Sequence, residues 1–301
     1  MPKTTYRTLT AGTRGSSLAR TQTDLIVSAL RAEWPALEIA TKIIKTEGDR
    51  KLDVAAAQLG KGAFVKEIEF ALLNGEIDLA VHSCKDVPTD PVPGLTLAAF
   101  PRRANPRDAL VSRDGLALAE LPAGAVIGTS SSRRRAQLLI HRPDLRVAEI
   151  RGNVDTRLRK LHDGQYDAVI LAAAGLHRLG LLHRATEILD PDVMLPAPAQ
   201  GALAIQARAD DDATLALLQP LNDPATQAAV TAERDFLRAL GGGCRVPIAA
   251  YARVEDGRLV LRGLIATDDG SEHVRGQIEG PVAEAVGLGA KLAAELRSLR
   301  G

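Results

Sequence analysis

Four short polar segments carry residue types that bind anions or move protons, and each follows a strand-like run. Their sequences are GTRGSS (12–17), HSCKD (82–86), GTSSSRRR (128–135) and RGNVDTR (151–157). Open α/β sheets bind ligands beyond the carboxyl ends of their strands, so four such segments indicate one binding cleft. Arginine binds carboxylate through its planar fork, although phosphate fits these residues equally well. The pattern predicts a site for a small polyanionic substrate.

The third segment places three consecutive arginines, 133–135, in the first turn of a predicted helix. The helix dipole disfavours cations there by roughly several tenths of a kcal/mol, and a bound anion would reverse that sign. A structural alternative is that Ser16, Ser17, Ser131 and Ser132 cap helices while the arginines extend into water. The residues of any one segment leave both interpretations open, and the recurrence in four segments favours binding.

Two further residues are candidates for proton or covalent chemistry. Asp86 directly follows Lys85, and such a carboxylate can act as a general acid or base and stabilise positive charge on a substrate, or merely cap a turn. Cys244 lies in GGGCRVP, where glycines open the backbone and an arginine favours thiolate; an inert packed thiol is the alternative. We interpret His82 as a core histidine and Cys84 as an inert thiol.

Composition and charge exclude several classes of function. Lys and Arg number 38 against 37 for Asp and Glu, and aromatic residues make up 3%, so neither the overall field nor base stacking favours a nucleic-acid partner. No signal peptide or membrane span is evident, so we expect a cytoplasmic protein with no membrane partner. The cysteines and histidines show no metal-ligand spacing, so no metal is expected.

The segments that position these residues alternate between strand and helix patterns, which predicts an α/β fold. Strands are predicted at 6–10, 39–45, 79–82, 95–100 and near 126, 147 and 169, and helices at 18–30 and 64–73. Residues 46–62 are predicted to form a mobile loop, and the proline-rich segments 101–108 and 195–201 to link two lobes. Two linked lobes predict a cleft between them.

A third unit of different composition follows these lobes. A helix predicted from Asp223 to Leu240 is followed by strands at 248–254, 259–267 and near 274, and by a terminal helix from 282. We therefore predict three domains: lobe 1 at 1–101 with 201–220 returning to it, lobe 2 at 107–196, and an α+β domain at 223–301.

Nine motifs, taken in order along nearly the whole chain, resemble one known family. They are GTRGSS, GKGAFVKE, AVHSCKDVP, NPRDAL, GTSSSRRRAQL, RGNVDTRL, AAAGLHRLG, LPAPAQGAL and GGGCRVP. These motifs are similar to those of the porphobilinogen deaminases, also called hydroxymethylbilane synthases. The resemblance implies three domains, of which two are similar to the lobes of periplasmic binding proteins and the third carries a cofactor.

The family's reaction joins four porphobilinogen molecules head to tail with release of ammonia, then hydrolyses the tetrapyrrole from the enzyme as hydroxymethylbilane. The resemblance implies a transferase of tetrapyrrole biosynthesis, which serves haem and related pigments, and a monomer in the cytoplasm. It also implies a dipyrromethane cofactor attached covalently through Cys244, with Asp86 as the central catalytic carboxylate.

The remaining site residues are also assigned by resemblance. Each pyrrole carries an acetate and a propionate, and the residues expected to bind these groups are cations, hydroxyls and an amide. Lys61 is expected on a lid over the site. The binding residues implied are Arg14, Ser16, Lys61, Ser83, Lys85, Thr129, Ser131, Arg133, Arg134, Arg151, Arg157, Arg178 and Gln200.

Three departures from the family pattern stand out. Cys84 replaces a common Met, Ala199 replaces a common Gly before Gln200, and the loop before Lys61 is slightly shorter. Ala199 leaves the backbone path of the connection between the lobes open.

A protein of another functional class remains an alternative. A non-catalytic two-lobed protein that binds polycarboxylates would also explain arginines at strand ends, although it would not explain GGGCRVP.

Overall fold

The chain divides into two units, Met1–Arg103 with Ala202–Gln227, and Ala104–Gly201 with Ala228–Gly301. This computed structural model describes residues 8–47, 62, 65–241 and 246–300. Lys61, Cys244 and most of the predicted mobile loop lie outside the described residues.

The described secondary structure follows in chain order. The strands are β1 (Leu9–Thr13), β2 (Ile39–Ile43), β3 (Leu79–Ser83), β4 (Leu95–Ala99), β5 (Asp108–Ser112), β6 (Val126–Gly128), β7 (Arg146–Ala148), β8 (Ala168–Ala172), β9 (Glu187–Ile188), β10 (Leu203–Arg208), β11 (Ile248–Glu255), β12 (Arg258–Ala266) and β13 (His273–Pro281). The helices are α1 (Ser17–Glu33), α2 (Lys66–Leu73), α3 (Ser132–His141), α4 (Val154–His162), α5 (Ala173–Arg178), α6 (Asp212–Leu218), α7 (Pro224–Ala239) and α8 (Ala285–Arg300).

The first unit contains a five-stranded sheet in the order β2-β1-β3-β10-β4. β1 is parallel to both β2 and β3, whereas β10 runs antiparallel between β3 and β4. α1 covers one face, where Leu30 packs with Leu79 and Ile205 in a buried cluster. α2 covers the other face through Ile68 and Leu72. The carboxyl ends of β1 and β3 therefore lie at one edge of the sheet.

The second unit contains a sheet of the same kind, in the order β7-β6-β8-β5-β9. β6 is parallel to β7 and β8, and β5 is antiparallel to β8 with Asp108 opposite Ala172. All five residues of β5 are buried. The first residue of this antiparallel strand thus lies at the edge where its parallel neighbours end.

The same unit contains an antiparallel sheet, β11-β12-β13, covered by α7 and α8. Phe236 is fully buried in its core, where Gly263 leaves room for the ring, since a Cβ there would lie 2.7 Å from it. Asp256 and Gly257 have φ values of 47° and 75°, the two positive angles that a tight hairpin between β11 and β12 requires.

These elements confirm the predicted α/β class, with two α/β lobes and a small sheet-and-helix part at the C-terminal end. The strands predicted near 126, 147 and 169 and the three late strands are present. The first strand was predicted to end at Thr10, whereas β1 continues to Thr13; residues 6 and 7 of that prediction lie outside the described residues. None of the helices in the described part of the chain combines the length and apolarity needed to cross a membrane.

Candidate active site

Asp86 lies at the edge of the first sheet, directly after β3. Residues Cys84–Asp86 form a single 3-10 turn, closed by a hydrogen bond from the Val87 amide to the Cys84 carbonyl (3.2 Å). Asp86 and Lys85 are exposed, whereas Cys84 is fully buried. The turn therefore presents a carboxylate and an ammonium to solvent beside a packed thiol.

Two contacts hold this turn on the sheet. The amide of Cys84 donates to the carbonyl of Ala202 (3.0 Å), the residue before β10. The Ser83 hydroxyl bonds with both side-chain atoms of Gln22 on α1, at 2.9 and 3.1 Å. Ser83 was predicted to bind substrate, and the structure places it as a tether between β3 and α1.

Arg14 follows β1 at the same edge as Asp86, because β1 and β3 are parallel neighbours. The Ser16 hydroxyl accepts the Ala19 amide of α1 at 3.3 Å, and Ser131 accepts the Arg134 amide of α3 at 3.4 Å. The structural alternative is therefore what the structure shows for both serines. A hydroxyl that accepts such a bond still has its own proton to donate to a ligand.

His82, on the same strand as Ser83, is buried and not a proton shuttle to solvent. Its Nε2 lies 3.0 Å from Gln206 Oε1, and Gln206 Nε2 donates to Glu69 Oε1 at 3.2 Å. Burial lowers the pKa of His82 to about 4, and the charge of Arg14 adds to this, while the bond to Gln206 opposes it. The ring is therefore neutral near pH 7.

The neutral His82 predicts that acid destabilises the protein. The unfolded imidazole titrates near pH 6.5, so between that pH and about 4 the unfolded chain binds a proton that the folded chain does not. We expect the free energy of unfolding to fall by about 3 kcal/mol over this range. Urea unfolding at a series of pH values measures it. His82→Gln should lose this part of the slope, and the exposed-residue control His183→Gln should keep it.

In the second unit, the predicted binding residues gather at the corresponding edge. Thr129 and Ser131 follow β6, Arg151 follows β7, and α5 with Arg178 follows β8. Arg157 projects from α4, where its Nε donates to the Gly152 carbonyl at 2.9 Å. Arg151 lies 3.4 Å from Glu149 in a partly exposed ion pair. The parallel strands thus bring together residues that are far apart in sequence.

Arg133 and Arg134 are buried around one carboxylate, Asp108, which is fully buried. Arg133 Nη1 lies 2.7 Å from Asp108 Oδ2, and Arg134 donates to Oδ1 through Nη2 (2.7 Å) and Nε (3.1 Å). The remaining bonds go to carbonyls, of Leu195 from Arg133 and of Ile170 from Arg134, each at 2.8 Å. Both arginines are therefore held in a buried ion-pair network at this edge of the sheet.

Asp108 was not recognised as a site residue from the sequence. Burial alone would raise its pKa, but the charges and hydrogen bonds of Arg133 and Arg134 outweigh burial and lower it. Gln200 also donates to Asp108 (2.9 Å) and to the Pro106 carbonyl (2.8 Å). The signal that could have found it is an acidic residue at the start of the apolar run ALVS, since a buried acid needs a cationic partner.

Asp108→Asn should therefore destabilise the protein strongly. It removes the charge that compensates two buried guanidinium groups, and breaking a buried pair of this kind costs about 3–5 kcal/mol. Urea unfolding gives the comparison with Asp114→Asn, which removes an ion pair whose carboxylate is 64% exposed and should cost about 0–1 kcal/mol. Equal losses in the two variants would contradict the arrangement.

Burial disfavours the charged form of two arginines at this edge of the second unit's sheet. Burial lowers the pKa of Arg157 to about 10, with the charge of Arg134 acting in the same direction. Burial also lowers the pKa of Arg178 to about 10, and its Nη2 donates to the Gly201 carbonyl at 2.8 Å. A bound carboxylate would reverse both effects, so this edge suits an anion.

The departure at Ala199 has a defined backbone conformation. Ala199 has a φ of 62°, in the left-handed region that glycine occupies more readily. Gly201, two residues on, has a φ of 87°, and a Cβ there would lie 2.6 Å from the Ala104 carbonyl. Alanine therefore occupies a position of this connection that glycine would adopt with less strain.

No group of three or more His, Cys, Asp or Glu side chains that could hold a metal ion occurs within the residues described above. The predicted site residues that the structure describes fall into two groups. The structure brings Arg14, Ser83, Lys85 and Asp86 to one edge of the first unit. It brings Thr129, Ser131, Arg133, Arg134, Arg151, Arg157, Arg178 and Gln200 to one edge of the second.

Comparison with known proteins gives matches over almost the whole chain. Residues 9–216 match the family model "Porphobilinogen deaminase, dipyromethane cofactor binding domain", and residues 227–298 match "Porphobilinogen deaminase, C-terminal domain". The chain is 54% identical to porphobilinogen deaminase of Roseiflexus castenholzii, over 97% of each chain. It is 50% identical to that of Deinococcus radiodurans, over 96% of this chain and 95% of the relative.

Solved structures give weaker similarities. The methionine binding protein MetQ is 13% identical, with a TM-score of 0.42 over 71% of this chain and 89% of that protein. The BenM effector binding domain is 16% identical, with a TM-score of 0.42 over 71% of this chain and 90% of that domain.

Proposed function

The chain belongs to the porphobilinogen deaminase family, and from this premise we propose which of its residues perform the reaction. It is a transferase of tetrapyrrole biosynthesis. Its substrate is porphobilinogen, of which four molecules are joined head to tail with release of ammonia, and its product is hydroxymethylbilane. The rival class, a non-catalytic polycarboxylate-binding protein, has no support among relatives that are about half identical.

We propose Asp86 as the catalytic carboxylate. The observation that supports this most is its exposure on a turn that Cys84 and Ser83 hold to the sheet. When the substrate loses ammonia, positive charge develops on its ring and methylene carbon, and the Asp86 carboxylate stabilises that charge. The new carbon–carbon bond forms when the free carbon of the preceding pyrrole ring attacks the methylene carbon. That ring then loses the proton from the attacking carbon, and we propose that Asp86 accepts it.

The residues of the second unit fit the family's dipyrromethane cofactor. Two pyrrole rings bring four carboxylates, and here Arg157 and Arg178 have lowered pKa values that an anion would restore. Arg151, Thr129 and Ser131 add donors at the same edge. When bound, the cofactor supplies the first pyrrole carbon to which substrate is joined. We propose that these residues hold its carboxylates and that Cys244 anchors it through a thioether.

In the first unit, we propose that Arg14, Ser16 and Lys85 bind the acetate and propionate of incoming porphobilinogen. Ser83 would join them by exchanging its bond to Gln22 Oε1 for one to a substrate carboxylate. Arg14 and Lys85 supply the charge, at the same edge as Asp86. Lys61 is proposed as a further cation for the same groups. We propose two functions for the three residues that bind Asp108, which are Arg133, Arg134 and Gln200. They hold Asp108, and they bind ligand carboxylates from the positions that those bonds set.

We further propose a monomeric cytoplasmic protein of three domains, with boundaries at 1–101 and 201–220, 107–196, and 223–301. Separate buried clusters around Leu79, Ile170 and Phe236 support this division. A near-neutral net charge of +1 supports small-molecule rather than nucleic-acid partners.

Product stoichiometry tests the proposed activity. The purified chain, supplied with porphobilinogen, should release four ammonia molecules for each hydroxymethylbilane that appears in solution. A polycarboxylate-binding protein would bind porphobilinogen in a calorimeter and release no ammonia. That second result would refute the proposal.

A further inference from the structure

Glu233, on α7, is a buried carboxylate that the proposed reaction does not use. It is fully buried, and its Oε2 accepts the amide of Ala199 at 2.5 Å while Oε1 accepts the amide of Ala252 at 2.6 Å. A carboxylate is removed from water at a large cost that such charge-assisted bonds offset. Glu233 therefore joins α7, β11 and the connection that contains Ala199.

That connection leads directly to the arginines around Asp108. At one end, the Leu195 amide donates to Gln137 Oε1 (2.8 Å) and the Leu195 carbonyl accepts from Arg133 (2.8 Å). At the other end, Gln200 donates to Asp108 (2.9 Å). Glu233 binds the segment between these two attachments. The residues that bind anions and the helix that leads to Cys244 are thus linked by a short series of buried hydrogen bonds.

Ala199, which Glu233 contacts in this link, has a strained backbone conformation. Ala199 is 1% exposed with a φ of 62°. A non-glycine residue keeps such a conformation only where its surroundings impose it. The bond from its amide to Glu233 is the contact that fixes it from the side of α7.

We propose that Glu233 is a positioning residue for the reaction: it holds Ala199 in its left-handed conformation and so fixes α7, the helix that leads to Cys244, against the arginines around Asp108. The inference rests on the proposed function of Cys244 as the cofactor anchor. A cofactor bound at one end through its thioether and along its length through its carboxylates needs these two attachments at a fixed separation. A displacement of about 1 Å between reacting groups can cost up to about a hundredfold in rate.

The chain offers a matched control in Asp235, two residues further along α7. Asp235 is also buried and also accepts two backbone amides, those of Gly287 and Ala290, both at 2.9 Å. It also pairs with Arg238 at 2.8 Å, and its amide contacts attach α7 to α8 instead of to the connection. A loss of stability alone would affect the two residues alike.

The test compares Glu233→Gln with Asp235→Asn. Both should lower the thermal midpoint. At a temperature where both are folded, Glu233→Gln should lower kcat/KM by about 10- to 100-fold, and Asp235→Asn should stay within about twofold of the unmodified protein. The intact masses of the Glu233→Gln protein during turnover should show a changed distribution of covalently bound intermediates. Equal kinetics in the two variants would overturn the proposal.

A rescue by glycine gives a second, independent result. Glycine at 199 adopts a positive φ without being forced, so Ala199→Gly should raise kcat/KM of the Glu233→Gln protein by about threefold or more and leave the unmodified protein nearly unchanged. The same change in both backgrounds would contradict a link between the two residues. If Glu233→Gln does not fold, Glu233→Asp keeps the charge, shortens the side chain and takes its place in every comparison.

Two outcomes distinguish an error about Cys244 from an error about Glu233. If the wild-type protein carries no added mass, the proposed function of Cys244 is wrong. If that mass is present but Glu233→Gln has the kinetics of Asp235→Asn, only the positioning function of Glu233 is wrong.

Discussion

Asp86→Asn should lower turnover by about 10²- to 10⁴-fold, the usual contribution of a positioned acid or base. The amide has nearly the same shape, but it cannot accept the pyrrole proton or stabilise positive charge on the substrate. Because Asp86 is exposed, the substitution should change the protein's free energy of unfolding by less than about 0.5 kcal/mol. Steady-state release of ammonia measures turnover, and urea unfolding measures stability.

The matched control for Asp86 is Asp90→Asn. Asp90 is also exposed and lies in the same segment after β3, so the two variants lose the same charge. We expect Asp90→Asn to keep nearly full turnover. Near-normal activity in Asp86→Asn, or an equal loss in both variants, would refute the assignment of the catalytic carboxylate.

Cys244→Ser should reduce turnover on the order of a thousandfold or more, because the chain would have no covalent primer to extend. A hydroxyl is nearly isosteric with a thiol but is a far poorer nucleophile at neutral pH, so the cofactor would not become attached. The loss should persist at saturating porphobilinogen, since the defect lies in the primer and not in substrate binding.

Cys84→Ala is the control for Cys244→Ser. Cys84 is fully buried on the turn that carries Asp86, and alanine leaves no polar group in its place. The variant should keep its cofactor and most of its turnover, with a modest loss of stability. If it lost the cofactor while Cys244→Ser kept it, the anchor would be the wrong cysteine.

The periodic parts of the fold could be predicted from the sequence. The strands near 126, 147 and 169 and the three late strands follow apolar runs bounded by turn residues, which is a local signal. β5 and β10 were not predicted as strands. Both are almost wholly buried, so neither shows the alternation of a half-buried strand, and both begin directly after proline-rich connections that were interpreted as linkers.

The placement of motif residues at strand ends could be predicted from the sequence, whereas the side chains that pair with them could not. The edge that gathers Thr129, Arg151 and Arg178 follows from the parallel strand pattern. The bonds of Asp108 to Arg133 and Arg134 join residues 25 and 26 positions apart, and no local pattern indicates that these arginines are buried. Burial and partner choice are properties of the tertiary fold, so they needed the structure.

The intact mass of the purified chain tests the central claim most directly. Under denaturing conditions the wild-type protein should exceed the mass of its sequence by two pyrrole units, and Cys84→Ala should show the same addition. Cys244→Ser should have the mass of its sequence alone. A wild-type protein that has the mass of its sequence alone and consumes no porphobilinogen would contradict the account.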